Sequence, residues 1–365
     1  MKKIPLLILT VFLILSCRKE KEDGRWERTF GQGNAFFVKS SPDSGIIACG
    51  ILDNKPYLIK LSRDKGIEAE YKSGTDGLFS SAWCDRSFFI ACGVSGGKML
   101  LARIDEMGSG VWDTTITAGF EVGLADICYT GNGTFLAVGS PGADQSDSGP
   151  SGLLFIRFDT EGNVSEHKEI IEISENEFVS AKGISVDSQG NIFLPLTRRT
   201  TGEKTRAGVA KFNSDLEKLW ETELSNNPDF AASATGITVD GSGNAFVTGG
   251  TEVSRESGNY DNSYLASLDP AGSVRWKEYL EIANTGSDLI LTDDVLLMLN
   301  MKCFVVNMAD PDNGTEAGRI LMFEGCDSYD TDAIGSGVDL HYDGNILVAG
   351  AKGGSFYLAM KPAIP

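Results

Sequence analysis

Residues 181–196, AKGISVDSQGNIFLPL, return 53 positions later at 234–249 as ATGITVDGSGNAFVTG, with eight of sixteen positions identical. A third copy, GSGVDLHYDGNILVAG, fills 335–350 and keeps Gly337, Gly344 and Asn345, with Val338, Leu340 and Leu347 as apolar equivalents. Its offset of 101 residues from the second copy is about twice the first interval. Looser copies are traced by the glycine that closes the second strand of each: Gly50, Gly93 and Gly139 each end an apolar run. Repeats of this length built on short strands signal a β-propeller, because no single repeat can bury its own face and each must stack on the next. Six visible copies and one degenerate copy predict an all-β, seven-bladed β-propeller of four-stranded antiparallel blades. The degenerate blade is expected near 288–325, with apolar runs at 288–294, 295–304 and 318–323.

Within a copy, Ile184 and Val186, or Ile237 and Val239, alternate with small or polar residues, and Asp-x-x-Gly-Asn then turns the chain before Phe193 or Phe246 opens the next strand. The pairs Gly190-Asn191, Gly243-Asn244 and Gly344-Asn345 are read as structural, since a tight hairpin turn wants a residue tolerant of positive φ beside one that bonds the backbone. The outer part of the repeat has its own spacing. Trp276 follows Asp269 by seven residues, Trp220 follows Asn213, and Trp112 follows Asp105, so three of five tryptophans share one structural position. Trp26 matches them, with Phe30 at the expected interval, yet too little chain precedes it to supply the first three strands of a blade. Residues 335–361 hold three strands without a fourth. The N-terminal strand at 25–30 is therefore expected to close the last blade and remove an unpaired edge.

These residues resemble the bacterial SBBP seven-bladed propeller repeat, whose pattern is a Gly-Ile-x-Val-Asp-x-x-Gly-Asn strand and turn followed by Asp-x-x-Gly and an outer-strand Trp. The copies across about 178–280 match it closely, the copy at 335–350 in part, and the rest in spacing. The Asp-x-x-Gly-x-x-x-Trp element is also similar, more weakly, to the repeat of quinoprotein-type propellers, but the adjacent cysteine pair and metal-binding carboxylates of those enzymes have no counterpart. Neither resemblance implies a catalytic residue here.

The N-terminus carries a second signal. Met1-Lys2-Lys3 is basic, Ile4–Leu15 is apolar and Ser16-Cys17 ends the run. That stretch is too short to span a bilayer, which takes about 20 apolar residues. It resembles a bacterial lipoprotein signal, which implies acylation of Cys17, with Ile14 and Leu15 departing from the commonest residues. The expected organisation is a signal peptide at 1–16, a charged tether at 17–24 and the propeller at 25–365. Arg18 in place of Asp after the cysteine favours outer-membrane anchoring, at either the periplasmic or the cell-surface face. A net charge of −19, more negative once Lys2 and Lys3 leave, opposes nucleic acid as a partner.

Six cysteines remain besides Cys17. Apolar strand contexts read Cys49, Cys84, Cys92 and Cys128 as small core residues; Cys303 and Cys326, which flank the degenerate blade, are the one pair considered for a bridge. His167 and His341 are expected at the surface. No nucleophile elbow, phosphate loop, dinucleotide fingerprint or His-Glu-x-x-His is present, and no cofactor or metal is expected. The acidic stretches 144–147 and 310–314 lack the full spacing of a calcium loop and read as solvated. Function is thus expected to be noncatalytic: a lipid-anchored scaffold whose propeller holds an envelope or extracellular protein. Glycan binding or processing, with Tyr260 and Tyr264 beside the long insert at 252–263, is the alternative, and a hydrolase or lyase using carboxylates in the central funnel is a third reading.

Overall fold

Val, Ile, Leu and Phe alternating with small residues make each repeat fold as four antiparallel strands, and stacking the repeats buries both faces of every sheet. The structure is a computed structural model describing residues 25–118, 122–141, 152–170, 177–225, 229–255, 258–280, 285–302, 304–322 and 333–363. Cys17, the segments 1–16 and 17–24, Cys303, Cys326 and residues 144–147 lie outside the described residues.

Seven blades are formed by the described residues. Counting in chain order, blades 1 to 7 have inner strands at the end of Trp26–Ser40, then Gly77–Cys84, Val122–Gly131, Glu177–Ala181 with Ser185–Val186, Ala232–Val239, Gly286–Leu291 and Ala333–Leu340. The outer strands of blades 1 to 6 are Ile67–Lys72, Gly110–Ile116, Val164–Ile170, Lys218–Glu223, Val274–Leu280 and Glu316–Leu321. Strand order in blades 1 to 6 runs from inner to outer in sequence.

Blade 7 is the exception that closes the ring. Its inner three strands end with Ser355–Pro362, and its outer strand is the first half of Trp26–Ser40, paired as Trp26↔Met360, Glu27↔Ala359, Arg28↔Leu358 and Thr29↔Tyr357. The second half of the same strand is the inner strand of blade 1, paired from Gly33↔Leu52 to Ser40↔Ile46. One strand thus serves two blades, as the sequence predicts. The Tyr357 hydroxyl donates to Glu27 Oε2 (2.8 Å), and Phe30 meets Phe356 edge-on at 5.8 Å between ring centres.

The four outer-strand tryptophans share one register: Trp26↔Met360, Trp112↔Arg103, Trp220↔Lys211 and Trp276↔Ser267. Three of them latch onto the next blade. Indole Nε1 of Trp112 donates to the Thr160 carbonyl (3.2 Å), Trp220 to Pro270 (3.0 Å) and Trp276 to Pro311 (3.2 Å). Each acceptor sits in the turn between the third and fourth strands of the following blade. The ring also covers that turn's glycine: a Cβ on Gly272 or Gly314 would lie 2.8 or 2.6 Å from the indole, and both glycines have positive φ (90° and 76°). No L side chain fits there without displacing the ring.

Blade 6, the degenerate copy, differs from expectation in detail. The apolar run at 295–304 is the second strand, Leu296–Asn300, plus the bend into a third strand at Val305–Ala309, and the run at 318–323 belongs to the outer strand. Phe304 adopts φ 47° in that bend and is fully buried. A buried polar chain replaces the missing turn consensus: Ser263 Oγ donates to Asn300 Oδ1 (2.5 Å), and Asn300 Nδ2 donates to Asn307 Oδ1 (2.8 Å) and the Val305 carbonyl (3.1 Å).

Candidate functional site: the central channel and its two rims

Each inner strand is interrupted near its middle. Pairing skips one residue between Ala35 and Phe37, Phe79 and Ser81, Leu124 and Asp126, Ala234 and Gly236, Gly286 and Asp288, and Gly335 and Gly337. In blade 4 the strand breaks at Lys182–Ile184. Such bulges re-aim side chains, and here they line a channel of about 550 Å³ with residues from all seven blades. Just past the bulge, Phe37, Ser81, Asp126 and Asp288 carry side chains, whereas Gly183, Gly236 and Gly337 carry none. A Cβ on Gly236 would lie 3.2 Å from Asp288 Cα and one on Gly337 3.1 Å from the Val38 nitrogen, so these two glycines let the next blade's inner strand approach closely. One level further on come Lys39, Trp83, Ser185, Thr238 and Asp339.

Three channel carboxylates tie each blade to the next. Asp126 Oδ2 accepts the Ile184 amide (2.9 Å) and Oδ1 the Ile127 amide (2.8 Å). Asp288 repeats this with Val338 (2.9 Å) and Leu289 (2.8 Å). Asp339 Oδ2 accepts the Ser40 amide across the ring seam (2.6 Å). These amides lie on the free edge of an inner strand and would otherwise lack a partner.

Burial raises the pKa of all three carboxyls from the ordinary value, and hydrogen bonds counter it in part, from the Ser81 side chain and two backbone amides at Asp126 and from backbone amides at Asp288 and Asp339. Asp288 is pushed up to about 7. Its charged neighbours, Asp126 and Asp339, raise it further, while Lys39 counters the rise at Asp126 and Asp339. Each of the three residues is partly exposed and belongs to the channel lining. Among the described residues no group of three His, Cys, Asp or Glu side chains could hold a metal ion.

The two rims differ. One carries the short turns between first and second and between third and fourth strands. In these, Asp187 Oδ1 accepts the amides of Gln189 (2.9 Å) and Asn191 (2.8 Å), Asp187 Oδ2 accepts Asn191 Nδ2 (2.8 Å), and Asp240 treats Ser242 and Asn244 alike. Gly190, Gly243 and Gly344 all turn with φ near 82°. The stretch at 310–314 is another such turn, with Asp310 accepting the Asp312 amide (2.7 Å). The other rim carries the connections between blades and between second and third strands, and the long ones fall here. In blade 5 the strands Ala245–Arg255 and Gly258–Leu268 run on to Arg255↔Gly258, past the ends of their neighbours at Thr251 and Ser263. A two-stranded ribbon thus extends beyond them at that rim.

Several sequence expectations are placed by these contacts. Trp26 and Pro362 both lie at the short-turn rim, because Trp26 pairs with Met360 and Pro362 with Asn345. Cys49 and Cys92 are buried, Cys84 and Cys128 partly so, all four as free thiols. Burial pushes the Cys84 thiol up to about 11 and the others higher. His167 is exposed, as expected, 3.5 Å from Glu169. The expectation of a surface His341 fails: it is buried in the Asp position of its turn, with Nδ1 2.7 Å from Asp343 and Nε2 3.2 Å from the Ser44 carbonyl of blade 1. Tyr264 is no sugar platform either. It is wholly buried, and its hydroxyl donates to the Ser233 carbonyl (3.0 Å).

The bulge residues and the carboxylates after them are what sequence reading missed. Asp126 and Asp288 stand where other copies have Gly183, Gly236 and Gly337, and a carboxylate at a glycine position of an inner strand was the available signal.

No family model matches the chain, and no curated protein matches it. Among solved structures, the one described as YCF48 bound to D1 peptide aligns over 93% of this chain and 95% of that one, with a TM-score of 0.54 and 9% identity. The likeness is one of fold. Together with the seven blades it makes the chain a β-propeller.

Proposed function

We propose that the protein is a noncatalytic, lipid-anchored envelope scaffold of the SBBP repeat type, held at the outer membrane through Cys17, whose long-loop rim receives another envelope or extracellular protein. The observation that carries this reading is the position of Trp26. The chain enters the ring at the short-turn rim, so a tether of eight residues, reaching at most about 28 Å, leaves the opposite rim facing away from the anchor. Two acyl chains suffice for stable attachment. The channel carboxylates support a binding role over hydrolysis, since they spend their lone pairs on backbone amides. That the propeller in the solved structure described above holds a peptide is consistent with peptide recognition here. The glycan reading loses Tyr264, which is buried, while the side chain of Tyr260 lies outside the described residues.

In-cell crosslinking of the tethered protein followed by mass spectrometry tests the proposal, with Cys17→Ala as the unanchored control. Recurrent partners that disappear with the anchor are expected. Identical capture from both forms removes the tethered scaffold.

A further inference from the structure

The short-turn rim, where the chain enters the ring, is not uniform in charge. Six turns join third to fourth strands there, at 62–66, 105–109, 159–163, 213–217, 269–273 and 310–315. Five of them carry one or two carboxylates and no lysine or arginine. The turn at 62–66 in blade 1 carries Arg63, Asp64 and Lys65, and so is net positive on a chain of charge −19. Among the described residues neither base forms an ion pair. Arg63 is exposed and lies 5.1 Å over the ring of Tyr342 in blade 7, while the half-buried Lys65 has its Nζ 3.5 Å from His341 Nε2. The nearby carboxylates outside the turn are occupied: Asp343 lies 2.7 Å from His341 Nδ1, and Asp43 is paired with Lys60. Two apolar groups stand open beside the bases, Tyr342 and, at the foot of the next strand, Ile67.

This sector is also where the incoming strand lies. Arg28, two residues beyond Trp26, donates from Nη1 to the Lys65 carbonyl (3.4 Å). A tether that ends at residue 25 therefore brings this part of the rim, before any other, to the surface that holds the anchor. Charges are felt there over about 8 Å at physiological salt. The acidic turns of the other blades are repelled by lipid phosphates, and the turn at 62–66 is attracted. A guanidinium matches a phosphate in geometry, and an exposed tyrosine suits the boundary between headgroups and water.

Resting on the reading of the protein as lipid-anchored, we propose that residues 62–66 with Ile67 and Tyr342 form a membrane-contact surface. Phospholipid headgroups meet Arg63 and Lys65 on it, and the Tyr342 ring enters the headgroup layer. The body then leans toward blades 7 and 1 and does not sit flat on its rim.

Hydroxyl-radical footprinting read by mass spectrometry tests this on the lipidated full chain. The chain is bound to vesicles of phosphatidylcholine and phosphatidylglycerol and compared with its Cys17→Ala form mixed with the same vesicles. Oxidation of Tyr342 and Ile67 is expected to slow several-fold on anchoring. Val164 and Val274, exposed residues that hold the register of Ile67 on blades 3 and 5, should not change. Arg63→Glu with Lys65→Glu should return Tyr342 and Ile67 to the unanchored rate, each variant being compared with its own Cys17→Ala form. Should that pair not fold, Arg63→Gln, at an exposed position, is expected to weaken the protection. Equal protection on pure phosphatidylcholine overturns the part assigned to the two bases. Flotation of the vesicles reads the anchor separately. Protein that floats with Tyr342 and Ile67 unprotected, or with Val164 and Val274 protected to the same extent, overturns the proposal and leaves the anchored reading standing. Protein that does not float overturns both. A crosslink from residues 62–66 to a protein partner puts that partner in place of lipid and overturns the assignment.

Discussion

The boundary between blades 5 and 6 and the boundary between blades 6 and 7 join the same kinds of sheet by different means. At the first, Trp276 donates to Pro311 and covers Gly314 in the next blade's outer turn. At the second, the equivalent outer-strand position is Gly318, opposite Met308, and nothing there corresponds to the indole. The reason is that blade 7 has no turn between its third and fourth strands, since those strands come from opposite ends of the sequence. A tryptophan at 318 would have no carbonyl to bond. The second boundary relies instead on Lys361 Nζ donating to the Leu321 carbonyl (2.9 Å), the packing of Phe304 on Tyr357 (5.3 Å), and the Asp288 carboxylate on the Val338 amide. The next blade's turn is not sufficient to call for a tryptophan, however, since blades 1 and 3 carry Ala69 and Glu166 at this position and face turns at 105–109 and 213–217.

The largest break in this comparison is removal of residues 25–30. It strips the outer strand from blade 7 and exposes the edge of Ser355–Pro362, so a strongly lowered melting temperature with concentration-dependent association is expected by calorimetry and ultracentrifugation. An unchanged monomeric melt would show that the strand is dispensable. Next is Trp276→Ala, expected to cost about 3 kcal/mol in urea unfolding from lost packing and the lost indole bond. Gly318→Trp, adding the same side chain where no turn waits, should bring no stabilisation. Gly314→Ala should cost about 1–3 kcal/mol, through both the crowding against Trp276 and the positive φ. Asp240→Ala, a turn cap on the consensus side, should cost only about 1 kcal/mol.

A pH series sharpens the second boundary. The folded pKa of Asp288 is raised to about 7 from an unfolded value near 3.9, so its ionisation is penalised in the folded state. Its favourable contribution is full below about pH 4 and is lost as pH rises through about 7. Asp288→Asn, which stays neutral but accepts one amide less well, should therefore be most destabilising at pH 5 and least at pH 8, judged by melting temperature relative to the parent. A constant offset would mean the carboxyl is not buried as described.

The ring, its closure by Trp26 and the structural role of the Asp-x-x-Gly-Asn turns could be read from spacing alone. Each rests on a short-range rule: which residues tolerate positive φ, which cap a turn, which fill a repeated socket. What the indoles touch could not be read, because the latch joins Trp276 to a turn 35 residues on. Burial of His341 escaped for a similar reason. The repeat puts it in a turn, and only the blade 1 carbonyl of Ser44 makes that turn an interior position. The channel carboxylates were hidden by their polarity, since an Asp in mid-strand reads as an outward residue unless a bulge is known to turn it inward.

The strand Trp26–Ser40 also decides how the molecule bears load. Its first residues run antiparallel to Ser355–Pro362, with the end nearest residue 25 at the short-turn rim. A pull applied there acts along the strand, so the bonds between Trp26 and Thr29 and their partners are sheared together and do not unzip one at a time. Any drag on the body transmitted through residue 25 is then shared across the whole seam, and the ring gives way only when that entire set yields at once.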